Sequence, residues 1–389
     1  MSKEFLLQKG YISLSELESI EFYVEAISVE QIKAYLDSSK KNIVACVPCT
    51  EPGVFLASEI AQAFNLPGNS VNTSQICRDK WLMRSALHDA KLQNTQFMRC
   101  HDISDVLTFT EQYQFPIVLK TPSGAGTNHV YLCHDQHIAE KRLDTILNTP
   151  NLFGKKADYA LLESYIGGME YIVNMFIDAE KTHLIDVWKY KKINTEYADF
   201  IYCDIILEDR SHLPFDVITY VENAIKAVGI ERGVVHAEVK INSAGEAVLV
   251  ELGSRIPGGS IPSLVSSASN FNYYTENLNV FLKDNYLLSQ EIKFYSHCHV
   301  VFIPLFVKGK VIAIDGINEI KLLSSYVNHE LYLQIGNVVE PTKDLQNSPI
   351  MVLLQNESKT DLLRDVDLTR AHFKVQLESK IQVKSIVTS

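Results

Sequence analysis

The stretch GVVHAEVKINSAGEAVLVELGSRIPGG, residues 233–259, decides the fold of this chain. Val235, Ala237, Val239 and Ile241 alternate with polar residues through residues 235–242, and the second arm alternates through residues 248–253. Alternation with a period of two predicts two β-strands, and Asn242-Ser-Ala-Gly245 between them has the composition of a tight turn. The stretch is therefore predicted to be a β-hairpin that runs into a loop rich in Gly, Pro and Arg.

The predicted hairpin brings two glutamates together. We align the strands so that apolar residues face each other, with Val239 opposite Val248. This register places Glu238 and Glu251 on the other face, about one residue pair apart. Carboxylates that close repel each other unless one is protonated or a cation lies between them. A hard divalent cation, held partly by a substrate's phosphates, fits there, and Arg255 is placed to meet an anionic oxygen nearby. An ordinary hairpin with a solvated polar face is the alternative.

Composition limits the class of protein. The chain has 389 residues, enough for two or three domains or one large composite domain. A formal net charge of −11 argues against general nucleic-acid binding but leaves room for a nucleotide in a locally positive pocket. No apolar run approaches membrane-spanning length. Seven scattered cysteines are typical of free thiols in a reducing compartment, so we expect a cytoplasmic protein.

The first part of the chain predicts a small α/β unit. Residues 29–36 and 54–64 carry apolar residues at helical spacing, and residues 42–47, NIVACV, predict a short buried strand between them. A further helix is predicted over residues 79–90, with Lys80 in its first turn. A lysine there is most often solvated, so Lys80 by itself indicates no site.

A strand, a loop of small residues and a second strand follow at residues 115–121, 122–128 and 129–133. Glycines in such a loop let backbone N–H groups close over phosphate oxygens without a Cβ in the way. Lys120 projects toward the same place, so this hairpin is predicted to be a phosphate cradle. A mobile glycine-rich hairpin without a ligand is the alternative, because one GxG motif does not specify a ligand.

Two apolar strands joined by a glycine pair predict a hinge between two lobes. Residues 160–166 form the first strand, Gly167 and Gly168 the link, and residues 169–177 the second strand, with Glu170 near its beginning. A flat base fits against such a hinge and pairs with its exposed backbone groups. Further along, the patterns predict a strand at 186–192, helices at 216–228 and 273–282, strands at 299–307, 310–315 and 331–335, and a helix within 362–377.

The order of these features resembles that of the ATP-grasp superfamily, over residues 40 to about 380. In chain order the features are Lys80, Lys120 with its glycine-rich loop, Glu163, Glu170, Glu238, Glu251 and Arg255. Within the superfamily the chain most resembles the carboxylate–amine ligases that join amino acids, the L-amino-acid (dipeptide) ligases. The stretches that carry this closer resemblance are LPGN at 66–69, RDKWLMR at 78–84, DVWKY at 186–190 and ELGSR at 251–255.

The resemblance implies an α/β (α+β) ATP-grasp fold in three parts. Residues 1–78 are an abbreviated N-terminal pre-ATP-grasp α/β domain, residues 79–290 the ATP-grasp domain with a mobile lid subdomain at about 104–166, and residues 291–389 a strand-rich C-terminal subdomain. It also implies ATP with Mg²⁺, or Mn²⁺ in its place, and small-molecule substrates. No nucleic-acid or membrane partner is expected. Many relatives are dimers, so a homodimer is consistent with the resemblance.

The resemblance also implies a role for each residue of the site. Lys80 and Lys120 hold the α- and β-phosphates of ATP, and Lys120 and Arg255 are the expected catalytic residues. The remaining assignments are Ser123, Gly124, Ala125, Gly126 and Thr127 as the lid loop over the transferred phosphoryl group, Glu163 with the main chain of Ser164 and Ile166 at the adenine, Glu170 at the ribose hydroxyls, and Glu238 and Glu251 as ligands of Mg²⁺.

The substrate pocket is less sharply defined. His236 lies on the glutamate face, Arg255 is expected to contact the acyl phosphate or the substrate carboxylate, and the other candidates for substrate contact are Trp188, Tyr190, Gly258 and Gly259. A structural histidine and core aromatic residues are the alternative interpretations of these positions.

The sequence departs from the superfamily pattern at two places. Many members carry Asn, as a third metal ligand, two residues after the second metal-binding glutamate, whereas this chain has Gly253. The L-amino-acid ligases also tolerate Gly there. Many members carry Gly near the end of the lid loop, whereas this chain has Asn128-His129.

The implied chemistry is ATP-dependent ligation. A carboxylate does not react with an amine at neutral pH, because it lacks a good leaving group, but transfer of the γ-phosphoryl group of ATP makes an acyl phosphate that an amine attacks. We therefore expect a carboxylate–amine ligase that joins an amino acid to an amine, usually that of another amino acid, and releases ADP and phosphate. Another ATP-grasp ligation or carboxylation, and ATP binding without catalysis, are the alternatives.

Overall fold

The computed structural model describes residues 28–124, 126–151, 154–196, 198–213 and 216–378. Its helices are α1 (Val29–Ser39), α2 (Val54–Ala63), α3 (Val71–Arg78), α4 (Lys80–Asp89), α5 (Ile103–Tyr113), α6 (Gln136–Asn148), α7 (Asp216–Val228), α8 (Ile261–Ala268), α9 (Tyr273–Leu282), α10 (Ile317–Lys321) and α11 (Lys359–His372). Its strands are β1 (Phe97–Cys100), β2 (Ile117–Lys120), β3 (Val130–Cys133), β4 (Ala160–Ser164), β5 (Met169–Ile177), β6 (Thr182–Ile193), β7 (Ile201–Glu208), β8 (Gly233–Ile241), β9 (Ala247–Gly253), β10 (His297–Phe302), β11 (Gly309–Asp315), β12 (Tyr326–Leu331), β13 (Val338–Val339), β14 (Ile350–Asn356) and β15 (Lys374–Glu378). None of the helices in these ranges has the length and apolar character needed to cross a membrane.

An eight-stranded antiparallel sheet forms the centre of the molecule, in the order β12-β14-β10-β7-β6-β5-β8-β9. Helices α4 and α7 cover one face and α8 and α9 the other. Because successive residues of a strand point to opposite faces, β5 supplies Ile172 to one core and Val173 to the other. The apolar runs in these strands reflect a sheet that is buried on both sides. Strands from the predicted C-terminal subdomain, β10, β12 and β14, continue this same sheet.

A smaller four-stranded sheet carries the predicted phosphate loop. Its order is β1-β4-β2-β3, and α5 and α6 pack on it through a core that includes Phe109 and Ile146. Strands β2 and β3 flank the loop at residues 121–129, and β4 leads into the predicted hinge. The arrangement places the loop and the hinge on neighbouring strands, although the domain boundaries themselves stay a prediction. A third sheet pairs β13, β11 and β15 near the C-terminus.

The hairpin of β8 and β9 forms, but its register differs from the predicted one. Val239 pairs with Leu249 rather than with Val248. A bulge lies on the far side of that pair, and beyond it Glu238 stands directly opposite Glu251. The predicted register was therefore wrong, and the true register brings the two carboxylates closer together than expected.

The apolar pattern of β9 explains the bulge. Leu249 and Leu252 both pack in the core beneath α4 and α7, although they are three positions apart in the sequence. Residues on one face of a regular strand are an even number of positions apart, so an extra residue must be accommodated between them. Val250 falls between the paired residues and lines the cavity on the opposite face. Val250 therefore does not belong to the core face of β9.

Two other predicted strands are not found where expected. Residues 42–47 have no strand assignment, and Val44 is 68% exposed. A strand needs a neighbour to satisfy its backbone hydrogen bonds, and none of the strands in the described ranges pairs with this segment. The strand expected at 331–335 lies earlier in the sequence, at Tyr326–Leu331. By contrast β5, α7 and α9 have the bounds that the sequence predicted.

Gly168 is required where the hinge enters the central sheet. Its φ angle is +102°, and a Cβ added there would lie 1.9 Å from the carbonyl oxygen of Ile241 at the end of β8. Backbone conformation and space therefore both exclude a side chain at this position. Gly245 in the turn of the hairpin has a φ of +82° but no atom within 4 Å of such a Cβ.

These two glycines form a matched pair for a stability test. Gly245→Ala should cost about 1 kcal/mol, the strain of a left-handed backbone. Gly168→Ala should cost roughly 2–4 kcal/mol, because it adds overlap with the Ile241 carbonyl to the same strain. The free energy of unfolding from urea titrations measures both. Equal losses in the two variants would show that the close approach to β8 does not constrain the hinge.

Candidate active site

One cavity between the phosphate loop, the hinge and the β8–β9 hairpin gathers most of the predicted site. The predicted residues that line it are Lys80, Lys120, Gly126, Thr127, Glu163, Ser164, Ile166, Glu170, His236, Glu238, Glu251 and Arg255. They come from positions 80 to 255 in the sequence, and the sheets bring them together. The side chain of Lys80 is almost fully buried, so its interpretation as a solvated surface residue is wrong.

The two opposed glutamates form the acidic side of the cavity. Tyr190 donates its hydroxyl to Glu238 Oε1 at 2.7 Å, and His236 Nε2 lies 3.6 Å from the same oxygen. Burial raises the pKa of Glu238. The hydrogen bond from His236 and the charge of Lys192 both lower it, and the pKa falls well below its usual range. Glu238 is therefore ionised. Lys80 Nζ lies 3.2 Å from Glu251 Oε2 and offsets charge on that side.

Oxygen ligands with this charge fit a hard divalent cation. The two carboxylates share one face of the hairpin, since directly opposed residues of an antiparallel pair point the same way. Within the described residues no group of three or more His, Cys, Asp or Glu side chains is placed to enclose a metal ion. An ion held by Glu238 and Glu251 must therefore take further oxygen ligands from a substrate or from water, as Mg²⁺ commonly does.

A buried cluster fixes Lys120 beside the phosphate loop. Glu163 accepts Arg84 Nε at 2.7 Å and Lys120 Nζ at 2.8 Å, and all three side chains are nearly inaccessible. Burial raises the pKa of Glu163, but Arg84 and Lys120 lower it to about 2. Burial lowers the pKa of Lys120 to about 8, although Glu163 opposes that shift. The sequence did not single out Arg84, because an arginine in an amphipathic helix is usually exposed.

The phosphate loop has backbone conformations that are unusual outside glycine. Thr127 and His129 have φ angles of 64° and 54°, beside Gly126 at 64°. Non-glycine residues in this region cost energy and cluster at binding sites. The Lys80 N–H donates to the Pro122 carbonyl at 2.9 Å, which ties the start of α4 to the loop. Ser123 and Gly124 do not line the cavity, and Ala125 lies outside the described residues.

The hinge offers one backbone donor to the cavity. Both main-chain groups of Ser164 already have hydrogen-bond partners. Its N–H donates to the Gln96 carbonyl at 3.0 Å, and its carbonyl accepts from Thr95 Oγ1 at 2.9 Å. The Ile166 carbonyl accepts Lys240 Nζ at 3.1 Å. Over the described part of the chain, the Ile166 N–H has no partner. Of the two main-chain positions expected to contact a base, Ile166 is therefore the one with an available group.

Two lysines that the sequence analysis missed surround Glu170. Lys192 Nζ lies 2.5 Å from Glu170 Oε1, and Lys240 Nζ lies 3.9 Å from Glu170 Oε2. Burial lowers the pKa of Lys192, but the charges of Glu170, Tyr202 and Glu238 and the hydrogen bond to Glu170 together raise it well above its usual range. Lys240 was visible in the sequence as the next polar residue after His236 and Glu238 on one face of β8. Lys192 entered the sequence analysis only as the last residue of the strand predicted at 186–192.

Four predicted substrate contacts do not line the cavity. Trp188 is fully buried in the core beneath α8 and α9, on the same face of the sheet as Glu238, and its indole N–H donates to Asp186 at 2.8 Å. Tyr190 is buried and acts through Glu238. Gly258 and Gly259 lie in the loop after β9 and outside the cavity lining. The aromatic residues are therefore core residues, as their alternative interpretation proposed.

Glu51, before α2, was not predicted as a site residue. It accepts Arg255 Nε at 2.5 Å and Arg78 Nη1 at 2.5 Å, and it is 7% exposed. Burial raises the pKa of Glu51, but the two arginines lower it to about 2. The isolated glutamate in a loop carried no signal that it would meet Arg255, which lies 204 positions away.

Comparisons with known proteins agree with this geometry. A family model described as an ATP-grasp domain matches residues 113–263. The chain is 25% identical to dapdiamide A synthase of Enterobacter agglomerans, over 85% of this chain and 81% of that protein. It is 20% identical to an L-arginine-specific L-amino acid ligase of Bacillus subtilis, over 86% and 76% of the two chains.

A solved structure has a similar fold. The L-amino acid ligase from Bacillus licheniformis superposes with a TM-score of 0.76 at 19% identity, over 90% of this chain and 84% of that one. The resemblance that the sequence motifs indicated is thereby confirmed. The chain therefore carries an ATP-grasp domain match over residues 113–263 and is similar over most of its length to carboxylate–amine ligases, the L-amino-acid ligases among them.

Proposed function

We propose that this protein uses ATP to activate the carboxylate of an amino acid as an acyl phosphate and joins it to the amine of a second amino acid. The observation that carries the proposal is the convergence, in one cavity, of two lysines, two directly opposed glutamates and an arginine. Phosphoryl transfer needs alignment and charge neutralisation more than a nucleophilic side chain. The relatedness to amino-acid ligases supports the same reaction class.

In the proposed reaction, each group has a task that matches its position. Lys80 and Lys120 bind the phosphates of ATP, and the main chain at Gly126 and Thr127 closes over the group that is transferred. Glu170 accepts the ribose hydroxyls, and the Ile166 N–H contacts the base. Mg²⁺, when bound by Glu238 and Glu251, neutralises charge on the phosphates. These side chains exclude water, which would otherwise hydrolyse an acyl phosphate.

The bond changes balance without a further reactant. A carboxylate oxygen of the first amino acid attacks the γ-phosphorus of ATP, and ADP leaves. The amine of the second amino acid then attacks the acyl carbon and gives up a proton to the solvent, and phosphate leaves, carrying one oxygen of the original carboxylate. Arg255, which lines the cavity beside the glutamates, is the proposed contact for the negative charge on the acyl phosphate.

The direct test is a substrate screen. The protein is incubated with ATP, Mg²⁺ and every pair of the twenty common amino acids, and ADP, phosphate and ligation products are measured. Release of ADP that requires amino acids, with a dipeptide product, is the expected result. ADP release with bicarbonate or another carboxylate alone would point to a different ATP-grasp reaction. Tight nucleotide binding without turnover would indicate a non-catalytic ATP-binding protein.

The metal role of Glu251 is tested by Glu251→Gln. The variant should lose at least about 10²-fold in kcat, because a metal ion supplies several kcal/mol of charge stabilisation in the transition state. Its thermal unfolding midpoint should change little, since the carboxylate is part-exposed. Glu246→Gln in the turn of the same hairpin is the matched control and should keep wild-type kcat. Full activity in Glu251→Gln would remove this residue from the metal site.

The depressed pKa of Lys120 predicts a pH dependence of nucleotide binding. Lys120 is charged below its pKa of about 8 and neutral above it. Bound phosphates favour the charged form, so the Kd for ATP should rise as the pH passes about 8, by at most about tenfold per pH unit. Lys120→Arg keeps its charge over this range and should flatten the dependence. Isothermal titration with a non-hydrolysable ATP analogue measures it, and identical pH profiles for the two proteins would contradict the role.

A further inference from the structure

Glu51 binds two arginines at once from outside the cavity. It lies in a short 3₁₀ turn, Glu51–Gly53, that precedes α2. Its Oε2 accepts Arg255 Nε and its Oε1 accepts Arg78 Nη1, each at 2.5 Å. Each carboxylate oxygen therefore serves a different arginine, and the three side chains carry two positive charges and one negative charge.

The contacts of Arg255 fix the plane of its guanidinium group. Nε donates to Glu51, and Nη1 donates to the Ile256 carbonyl at 2.8 Å. Two hydrogen bonds from different nitrogens of a planar group determine its orientation. No partner of Nη2 is found across the described ranges, and Arg255 lines the cavity. These two bonds thus leave Nη2 available to an anionic ligand in the cavity.

The glycine at position 253 makes room for Glu51. A Cβ added to Gly253 would lie 3.3 Å from Glu51 Oε2, which is tighter than ordinary contact. Many ATP-grasp members carry Asn at this position. A larger side chain here would compete with Glu51 for the same space beside Arg255. Gly253 therefore leaves the space in which the Glu51 carboxylate lies beside Arg255.

Arg78 extends the contact to the phosphate loop. Its Nη2 donates to Ser123 Oγ at 3.0 Å, while its Nη1 binds Glu51. Ser123 lies in the loop whose residues Gly126 and Thr127 line the cavity. A continuous chain of hydrogen bonds therefore joins the phosphate loop to the arginine at the other side of the cavity, through two side chains that do not themselves line it.

We propose that Glu51 is a positioning residue that aims Arg255 at the substrate carboxylate and, through Arg78, couples Arg255 to the phosphate loop. The inference rests on the proposed ligase function, in which Arg255 meets the carboxylate that is activated. Glu51 itself touches neither substrate nor nucleotide. Its loss should therefore affect the amino acid that supplies the carboxylate more than it affects nucleotide binding.

The first test compares Glu51→Gln with Glu59→Gln. Glu59 lies in α2 of the same unit, and the ion pairs found in the described residues do not include it. In Glu51→Gln we expect the KM for the carboxylate-donating amino acid to rise about tenfold and kcat to fall, because one charged hydrogen bond to Arg255 is lost. The Kd for Mg–ADP should stay within about twofold of wild type. Glu59→Gln should leave all three quantities unchanged.

A merely structural role for Glu51 gives a different result. It would lower the thermal unfolding midpoint, and it would change kcat without selectively raising the KM for the carboxylate donor. That result would overturn the inference. Gly253→Asn is the second variant, because it displaces the Glu51 carboxylate without removing its charge. It should also raise the KM for the carboxylate donor, and an unchanged KM in both variants would contradict the positioning role.

The coupling to the phosphate loop is tested by a double-mutant cycle between Glu51→Gln and Ser123→Ala. Both changes act through Arg78, so their effects on kcat/KM for the carboxylate donor should be non-additive. Additive effects would overturn the coupling.

The orientation of Arg255 gives a readout that does not depend on turnover. A crystal structure of Glu51→Gln should show the Arg255 guanidinium group rotated out of its wild-type plane. An unchanged Arg255 would overturn the inference even if the enzyme were active. Absence of ligation by the wild-type protein with every amino-acid pair would instead contradict the proposed function, and the orientation of Arg255 would still decide its positioning by Glu51.

Discussion

The site depends on the direct opposition of Glu238 and Glu251 across the β8–β9 hairpin. Two like charges on neighbouring strands repel each other, so this register persists only because the surroundings offset the repulsion. Tyr190 and His236 hold Glu238 from one side, and Lys80 lies beside Glu251 on the other. The bulge that produces the register also keeps both core leucines of β9 buried. One local irregularity therefore satisfies the hydrophobic core and places face to face the two carboxylates that are the proposed ligands of a divalent cation.

Opposite charges also offset each other in the rest of the cavity. Four buried cations around the cavity each lie beside a carboxylate, in the pairs Lys80–Glu251, Lys120–Glu163, Lys192–Glu170 and Arg255–Glu51. An unpaired buried charge is costly, and these partners keep the cations in place without a ligand. Bound phosphates and a metal ion would take over part of that pairing. Burial lowers the pKa of Lys120 to about 8, and a phosphate bound beside it would favour its charged form.

Local patterns predicted the elements, and long-range packing decided the details. The helix at 216–228 and the strand at 169–177 have their predicted bounds, because their periodicity and flanking glycines are sufficient signals. The predicted hairpin register was wrong because the bulge depends on tertiary packing. Leu249 and Leu252 both pack against the helices that cover this face of the sheet. Glu51 and Arg84 could not be predicted, since each meets its partner through the tertiary fold alone. Lys240 was within reach of sequence reasoning, because it continues the polar face of His236 and Glu238.

The central claim is that the γ-phosphoryl group of ATP is transferred to a carboxylate oxygen before the amine attacks. Once a substrate pair is known, its carboxylate can be labelled with ¹⁸O and the released phosphate analysed by mass spectrometry. The account predicts that each phosphate carries one ¹⁸O atom and that the other labelled oxygen stays in the new amide. Unlabelled phosphate, or release of AMP and pyrophosphate in place of ADP, would contradict it.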